Sequence, residues 1–209
     1  MKTVLVDMDD TIENCTEAWV NYVNRRFGTD VKPESLRDWD VSKAFPTLTR
    51  EQVYGVTFEE AFWLTVKPID GAAEYMKKLI DDGNKIYIVS CAAYETMRVK
   101  MEDVLFKYFP FIEWNEIIVT YNKKIINADV MIDDGVHNLI GADCVRILMD
   151  APYNRDFNEE AYGMFRVRNW KEIYDLINSG KLEACDVHGV GVYKGKKKIR
   201  NDLFGEINE

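Results

Sequence analysis

The stretch Met1–Ile12, MKTVLVDMDDTI, joins a buried strand to a group of acids and decides the fold prediction. Thr3–Val6 is a short apolar run rich in β-branched residues, which is typical of a strand buried in a parallel sheet. Carboxylates follow at Asp7, Asp9 and Asp10. Like charges repel there and burial raises carboxyl pKa values, and a divalent cation relieves both effects. The stretch therefore predicts a Mg²⁺ site with a nucleophilic carboxylate, and the alternative is an acidic turn after an edge strand.

Length, charge and cysteine content restrict the class of protein. The chain has 209 residues, which suits one domain or one domain with an inserted lobe. Its net charge of −9 argues against binding to a nucleic-acid polymer or an anionic membrane, but not against one small anionic ligand. We see no signal peptide and no apolar run that could span a bilayer. The four cysteines are scattered, so we expect reduced thiols and a cytoplasmic protein.

Strand-like and helix-like segments alternate along most of the chain. Strands after the first are predicted at Lys85–Val89, Glu116–Thr120, Ala128–Ile132, Val145–Met149 and Gly163–Val167. Helices are predicted at Glu13–Phe27, Asp70–Asp82, Tyr94–Tyr108, His137–Gly141 and between Asn169 and Gly180. This alternation predicts an α/β fold with a Rossmann-like, doubly wound parallel sheet. Its functional residues should gather at the C-terminal ends of the strands.

Residues 15–69 are predicted to form a small inserted helical cap. From residue 29 onward this segment contains three prolines and six aromatic residues but no convincing strand. Trp39 lies between two aspartates in a loop-like stretch. Phe62 and Trp63 are adjacent, so that one can face inward while the other faces the cleft.

The remaining chain is divided into a core and a tail. We expect the catalytic core to comprise residues 1–14 and 70–180, on either side of the cap. The tail, residues 181–209, could form a β-hairpin around Lys194-Gly195.

Polar residues follow four of the predicted strands. They are Asp7 and Asp9 after the first strand, Ser90 after the second, Lys123 and Lys124 after the third, and Asp133 and Asp134 after the fourth. Each alone has an ordinary explanation as a turn former or a solvated loop. Together they supply what phosphoryl transfer needs: a carboxylate nucleophile, a second carboxylate for proton transfer, metal ligands, and a hydroxyl and an ammonium for the phosphate oxygens.

The order Asp-x-Asp-x-Thr, strand-Ser, Lys, strand-Asp-Asp resembles the haloacid dehalogenase (HAD) superfamily of phosphatases over about residues 1–180. A narrower similarity is to its 5′(3′)-deoxyribonucleotidase family, the cytosolic type C enzymes. The stretches that carry it are Phe62-Trp63 before Lys67–Ala72, then Lys107–Phe111, Asn122–Asp129 and Ile132–Asp134. The chain departs from that family at Asp10-Thr11, where those nucleotidases usually have Gly-Val.

The resemblance implies a chemical role for four of these residues. Asp7 would attack phosphorus and form an aspartyl phosphate. Asp9 would protonate the leaving alkoxide and then activate water. Ser90 would donate a hydrogen bond to a phosphate oxygen, and Lys123 would neutralise charge on the phosphate and on Asp7.

The resemblance also implies a cofactor and a substrate class. Mg²⁺ would be bound by Asp7, by the backbone carbonyl of Asp9 and by Asp134, with Asp133 as the orienting neighbour; an oxygen-only site suits this ion. Trp39, with Phe62 or Trp63, would close over the base of a nucleoside monophosphate. The expected substrate is thus a small phosphate monoester, and the oligomeric state is left open.

Three alternatives remain beside this interpretation. One is a HAD phosphatase for another small metabolite, such as a sugar phosphate or phosphoserine. A phospho-accepting receiver domain uses similar residues, but there the acidic pair closes the first strand, whereas here Asp-x-Asp comes first. A cysteine phosphatase would need five residues between its Cys and Arg, and six separate Cys91 from Arg98.

Overall fold

The strands form one parallel sheet. The computed structural model describes residues 1–184, and in that range six strands lie in the order β3-β2-β1-β4-β5-β6. They are β1 (Thr3–Val6), β2 (Lys85–Ser90), β3 (Ile117–Val119), β4 (Val130–Asp133), β5 (Val145–Met149) and β6 (Phe165–Val167). Every neighbouring pair is parallel. The predicted α/β class with a Rossmann-like, doubly wound parallel sheet is confirmed.

The first strand is apolar throughout because both faces of the sheet are covered. Val4 and Val6 pack into one hydrophobic cluster, whereas Leu5, between them, packs into a second one. Neighbouring residues of a strand point to opposite faces. The two clusters therefore lie on opposite sides of the sheet, which explains why the sequence shows an unbroken apolar run rather than alternation.

Helices connect the strands and cover the sheet. They are α1 (Cys15–Phe27), α2 (Arg50–Gly55), α3 (Glu60–Trp63), α4 (Ala72–Asp81), α5 (Tyr94–Val99), α6 (Phe106–Tyr108), α7 (Val136–Leu139) and α8 (Trp170–Asn178). A π-helical segment, Lys100–Leu105, joins α5 to α6, so the helix predicted at Tyr94–Tyr108 has those bounds but a π-helical middle. Within residues 1–184, no helix is both long and apolar enough to cross a membrane.

Two predicted helix starts were wrong for local reasons. α1 begins at Cys15 rather than Glu13, because Glu13 pairs as an isolated bridge with Asp9 and with Pro68. α4 is not capped by Asp70, because Gly71 occupies the N-cap position with φ = 78°. That left-handed conformation favours glycine.

The predicted cap contains helices and no strand within its described residues 15–69. A separate hydrophobic cluster lies inside it, formed by Val20, Val23, Leu36, Val41, Phe45, Val53 and Val56. Phe62 and Trp63, in contrast, belong to the cluster packed on the sheet. The domain bounds therefore stay a prediction, and the hairpin around Lys194-Gly195 lies outside the described residues.

The strand order reverses direction at β1, which pairs with β2 on one side and β4 on the other. Ligands of open α/β sheets bind at such a switch point, outside the carboxyl ends of the strands. Asp7 lies there, and its backbone N–H donates to the carbonyl of Ile132 at 2.9 Å. The topology thus brings the end of β1 beside Asp133, the last residue of β4.

Candidate active site

A buried lysine joins the ends of β1 and β4. Lys123 Nζ lies 2.5 Å from Asp7 Oδ1 and 2.7 Å from Asp133 Oδ2. Burial alone would lower the pKa of Lys123, but the two carboxylates outweigh it and raise that pKa. The neighbouring Lys124 is exposed. The structure therefore brings Lys123, and not Lys124, to the predicted site.

Three carboxylates surround this lysine. One oxygen each of Asp7, Asp133 and Asp134 lies within 4.8 Å of the other two. Burial, with Asp133 nearby, raises the pKa of Asp7 to about 6 despite Lys123. Burial and the charges of Asp133, Asp7 and Asp10 raise the pKa of Asp134 well above its ordinary value. We call Asp7, Lys123, Asp133 and Asp134 the β1–β4 cluster; its oxygen donors and excess negative charge suit a divalent cation such as Mg²⁺.

The two adjacent aspartates after β4 have different surroundings. Asp133 accepts hydrogen bonds from Lys123, from the Gly135 backbone at 2.8 Å and from Asn138 Nδ2 at 3.0 Å. A Cβ atom at Gly135 would lie 3.0 Å from Asp133 Oδ1, so a larger residue there would press on this carboxylate. The carboxylate of Asp134 accepts one hydrogen bond within residues 1–184, from Tyr153 at 2.6 Å. Asp133 is thus held by protein donors, while Asp134 keeps more capacity for an added ligand.

A second buried lysine lies beside Asp9 and Ser90. Lys100 Nζ is 2.5 Å from Asp9 Oδ2 and 3.0 Å from Ser90 Oγ. Burial raises the pKa of Asp9, but Lys100, with smaller contributions from Glu13 and Lys123, outweighs burial and brings that pKa below its ordinary value. Trp63 covers the ammonium, with its ring centre 5.4 Å from Lys100 Nζ.

Glu13 completes this second group from the buried side. One ligand atom each of Asp9, Glu13 and Cys15 lies within 4.8 Å of the other two. Neither carboxyl oxygen of Glu13 meets a hydrogen-bond donor in the described part of the chain, and the same holds for Asp9 Oδ1. Burial and the charge of Asp9 raise the pKa of Glu13 well above its ordinary value. We call Asp9, Glu13, Ser90 and Lys100 the Lys100 cluster, and we infer that Glu13 is neutral within it.

Tyr153 links Asp134 to the residue that departs from the family pattern. Its hydroxyl oxygen lies 2.6 Å from Asp134 Oδ2 and 2.8 Å from Asp10 Oδ2. Asp10 has φ = 54° and accepts hydrogen bonds from the backbone N–H and the hydroxyl of Thr16, in the first turn of α1. Asp10 therefore ties the acidic loop to the start of α1.

Sequence reasoning missed Lys100 and Tyr153. Tyr153 follows β5 at the same edge of the sheet, in the 3₁₀ turn Pro152–Asn154, so the strand-end rule could have found it. Lys100 lies in a helical segment, between the buried residues Val99 and Met101. A lysine at a buried helix position was the signal available there, because lysine is almost never buried without a partner.

The three predicted aromatic residues have different positions. Trp39 is 58% exposed, and its ring lies 5.3 Å from that of His137, just after the Asp133-Asp134-Gly135 turn. Phe62 has 0% exposure and packs edge-to-face against Tyr22 and Trp63. Within residues 1–184, no ring contact joins Trp39 to Phe62 or Trp63. The structure thus places Trp39 beside the catalytic edge, while Phe62 presents no surface to a ligand.

Almost the whole described chain matches a known protein family. The model of the family described as 5′ nucleotidase, deoxy (Pyrimidine), cytosolic type C protein matches residues 1–183. The chain is 34% identical over 174 residues to the 5′(3′)-deoxyribonucleotidase of Bacillus subtilis (strain 168), an alignment that spans 82% of this chain and 96% of that relative.

Solved structures of HAD proteins share the fold. A haloacid dehalogenase-like hydrolase from Streptococcus pneumoniae has a TM-score of 0.61 at 9% identity, covering 85% of this chain and 98% of that one. The HAD-hydrolase YfnB from Bacillus subtilis, bound to magnesium, has a TM-score of 0.55 at 18% identity, with coverages of 85% and 98%. The predicted resemblance is confirmed: this chain has the fold of HAD proteins, it is a phosphoric monoester hydrolase, and it belongs to the family described as 5′ nucleotidase, deoxy (Pyrimidine), cytosolic type C protein.

Proposed function

We propose that this hydrolase dephosphorylates nucleoside monophosphates, deoxyribonucleotides above all, through an aspartyl phosphate and with Mg²⁺ as cofactor. The observation that carries the proposal is the contact of Lys123 with Asp7 and Asp133 at the switch point of the sheet. An ammonium there neutralises both the attacking carboxylate and an incoming phosphate. The Bacillus subtilis relative, a 5′(3′)-deoxyribonucleotidase, supports the substrate class.

In the first step, a carboxylate oxygen of Asp7 forms a bond to phosphorus while the bond from phosphorus to the leaving oxygen breaks. Asp9 gives a proton to that leaving oxygen, which departs as the nucleoside hydroxyl. Asp9 is ionised in the free site because Lys100 lowers its pKa. The negative charge of a bound phosphate raises that pKa again, so Asp9 gains its proton as the substrate binds.

In the second step, a water molecule attacks the phosphorus of the aspartyl phosphate. The Asp9 carboxylate takes a proton from that water, and the bond between phosphorus and Asp7 breaks to release inorganic phosphate. Ser90 Oγ donates to a phosphate oxygen in both steps, and Lys123 stabilises the charge that develops on the phosphoryl group.

The residues at the ends of β1 and β4 are suited to hold a divalent metal ion. Asp7, Asp134 and the backbone carbonyl of Asp9 would hold Mg²⁺, and Asp133 would orient its neighbours through Lys123 and Gly135. When bound, the ion supplies positive charge that polarises a phosphoryl oxygen and offsets the repulsion between carboxylates. The magnesium bound to YfnB, a protein of the same fold, supports this choice of ion.

A phosphate-release screen tests the substrate class. Purified protein with Mg²⁺ would be offered deoxyribo- and ribonucleoside 5′- and 3′-monophosphates, sugar phosphates and phosphoserine. We expect the highest kcat/KM on deoxyribonucleoside monophosphates. Activity on another metabolite, with none on any nucleotide, would instead assign the chain as a HAD phosphatase for that metabolite.

We also propose a cytoplasmic location, which suits the unpaired thiols of Cys15, Cys91 and Cys144.

A further inference from the structure

The ammonium of Lys100 is buried where no fold requirement explains a charge. Lys100 is 1% exposed and is followed in its π-helical segment by the buried apolar residues Met101, Val104 and Leu105. Removing an ammonium from water costs several kcal/mol, and an apolar side chain of similar size would pack there at least as well. A charge retained in such a place is explained by the groups that it contacts. Those groups are Asp9 Oδ2 and Ser90 Oγ.

The contact distinguishes the two oxygens of Asp9. Oδ1 is buried on the side of Glu13 and Cys15. The Asp9 side chain as a whole is 36% exposed, and its other oxygen, Oδ2, is the one that Lys100 contacts. An ionised carboxylate oxygen can accept two hydrogen bonds. One position on Oδ2 is taken by Lys100, which leaves the other for the proton that is transferred.

The second contact of Lys100 fixes that oxygen relative to the phosphate. Ser90 is the last residue of β2, and its Oγ is the proposed phosphate ligand. Lys100 Nζ bridges Ser90 Oγ and Asp9 Oδ2, which belong to different strand ends. Proton transfer requires donor and acceptor to be held within hydrogen-bond reach. A rigid bridge from the phosphate ligand to the acid meets that requirement.

We propose that Lys100 is a positioning residue, which holds Oδ2 of Asp9 at the leaving-group oxygen by tying it to Ser90. The inference rests on the proposed role of Asp9 in proton transfer. Without Lys100, Oδ2 of Asp9 loses the ammonium that holds it beside Ser90, and the carboxylate is free to turn. Loss of Lys100 therefore impairs proton transfer to the leaving group more than it impairs phosphate binding.

Two aryl phosphates of similar size test this inference. Phenyl phosphate has a poor leaving group that needs a proton, whereas 2,4-dinitrophenyl phosphate has a good leaving group that does not. For both, kcat/KM reports the step that forms the aspartyl phosphate. In Lys100→Met we expect kcat/KM to fall by about 10²-fold or more on phenyl phosphate, the usual contribution of a general acid. On 2,4-dinitrophenyl phosphate we expect a loss of less than about three-fold on the same basis.

Matched variants separate this role from a structural one. Lys107 is an exposed residue farther along the same helix, and we expect Lys107→Met to leave kcat/KM unchanged on both substrates. Asp9→Asn should reproduce the Lys100→Met pattern, and the double variant should lose little more, because residues that act as a unit are not additive. If Lys100→Met does not fold, Lys100→Gln replaces it; glutamine retains a hydrogen-bond donor, so we expect a smaller loss on phenyl phosphate and again little loss on 2,4-dinitrophenyl phosphate.

Equal losses on the two aryl phosphates would overturn the inference, since Lys100 would then only support the phosphate pocket or the fold. So would a folded variant with no loss, or one that loses more on 2,4-dinitrophenyl phosphate. These outcomes are independent of the natural substrate. Failure of the proposed function would show separately, as hydrolysis that persists in Asp7→Asn or as the absence of any nucleotide substrate.

Discussion

The two buried lysines lie in clusters that differ in their balance of charge. The β1–β4 cluster places the carboxylates of Asp7, Asp133 and Asp134 around Lys123, which leaves it with two excess negative charges when all are ionised. The Lys100 cluster places one carboxylate with a lowered pKa, Asp9, against one ammonium, while burial and Asp9 raise the pKa of Glu13 well above its ordinary value. A divalent cation would therefore compensate the negative charge of the first cluster, whereas in the second cluster Lys100 already compensates the charge of Asp9.

The largest effect is expected from a substitution of Asp7, the proposed nucleophile of the β1–β4 cluster. Asp7→Asn keeps the shape of the side chain but removes the charge that attacks phosphorus, so kcat should fall by about 10⁴-fold or more. The loss should be the same on phenyl and 2,4-dinitrophenyl phosphate, unlike that of Lys100→Met. Steady-state kinetics, with circular dichroism as a control for the fold, measure it. Near-normal hydrolysis of any substrate by this variant would disprove the covalent mechanism.

The same comparison shows why part of the site was predictable. Asp7, Ser90 and Asp133 lie at the ends of parallel strands, and Lys123 follows a fourth, so the fold class alone places them at one edge. Lys100 reaches that edge from a helical segment. The direction of a helical side chain relative to a distant loop depends on how the helix packs, which no local pattern contains.

The same limit applies to the aromatic residues. Adjacent positions of a short helix can face opposite ways, so the sequence predicts that one of Phe62 and Trp63 faces inward without saying which. In the structure both are nearly fully buried, because Phe62 packs against Tyr22 and Trp63 covers Lys100. Only tertiary packing distinguishes these positions from that of Trp39.

The next largest effect concerns the metal requirement of the β1–β4 cluster. A chelator should abolish activity and Mg²⁺ should restore it. Asp134→Ala should raise the Mg²⁺ concentration for half-maximal activity by about 10- to 100-fold or more, on the scale known for groups that support a metal site. Titration of activity with Mg²⁺ measures this.

Asp133→Ala is the control, because that side chain is held by Lys123, Gly135 and Asn138. Its loss leaves buried donors without a partner, which costs about 1–3 kcal/mol of unfolding free energy. We therefore expect a lower Tm and a smaller change in Mg²⁺ dependence than for Asp134→Ala. Full activity in excess chelator, or the reverse order of the two variants, would contradict this assignment.

A smaller effect concerns the cap, which we expect to contact the base of the substrate through Trp39. Trp39→Ala should lower kcat/KM for thymidine or deoxyuridine monophosphate by about ten-fold or more, since stacking of a base on an aromatic ring contributes about 1–3 kcal/mol. The effect on p-nitrophenyl phosphate should be small, because that ester reaches only the catalytic end. Phe58→Ala is a matched control, since Phe58 is also 58% exposed. Equal losses on both substrates would mean that Trp39 only supports the cap.

The smallest effect tests the charge balance itself, through stability. In the protein without metal, burial raises the pKa of Asp7 from 3.8 to about 6. The folded state then binds a proton more tightly than the unfolded state, and the stability from that proton is lost as pH rises through about 6. The contribution of Asp9 to folding stability has the opposite sign. Lys100 lowers the pKa of Asp9, so this contribution is present at neutral pH and lost in acid. The β1–β4 cluster should therefore make the metal-free protein less stable at neutral pH, and Asp10 and Glu13, whose pKa values are also raised, should add to this trend.

Mg²⁺ replaces the missing proton, so its stabilising effect should grow with pH. We expect the difference in Tm between excess Mg²⁺ and excess chelator to be larger at about pH 7.5 than at about pH 5, by roughly 3–6 °C for a change of about 1–2 kcal/mol. Thermal unfolding followed by tryptophan fluorescence measures it. Asp134→Asn, which removes one of the competing charges, should reduce the pH dependence of this difference. A difference that is equal at the two pH values, or larger in acid, would mean that the excess charge of the β1–β4 cluster is already compensated within the protein.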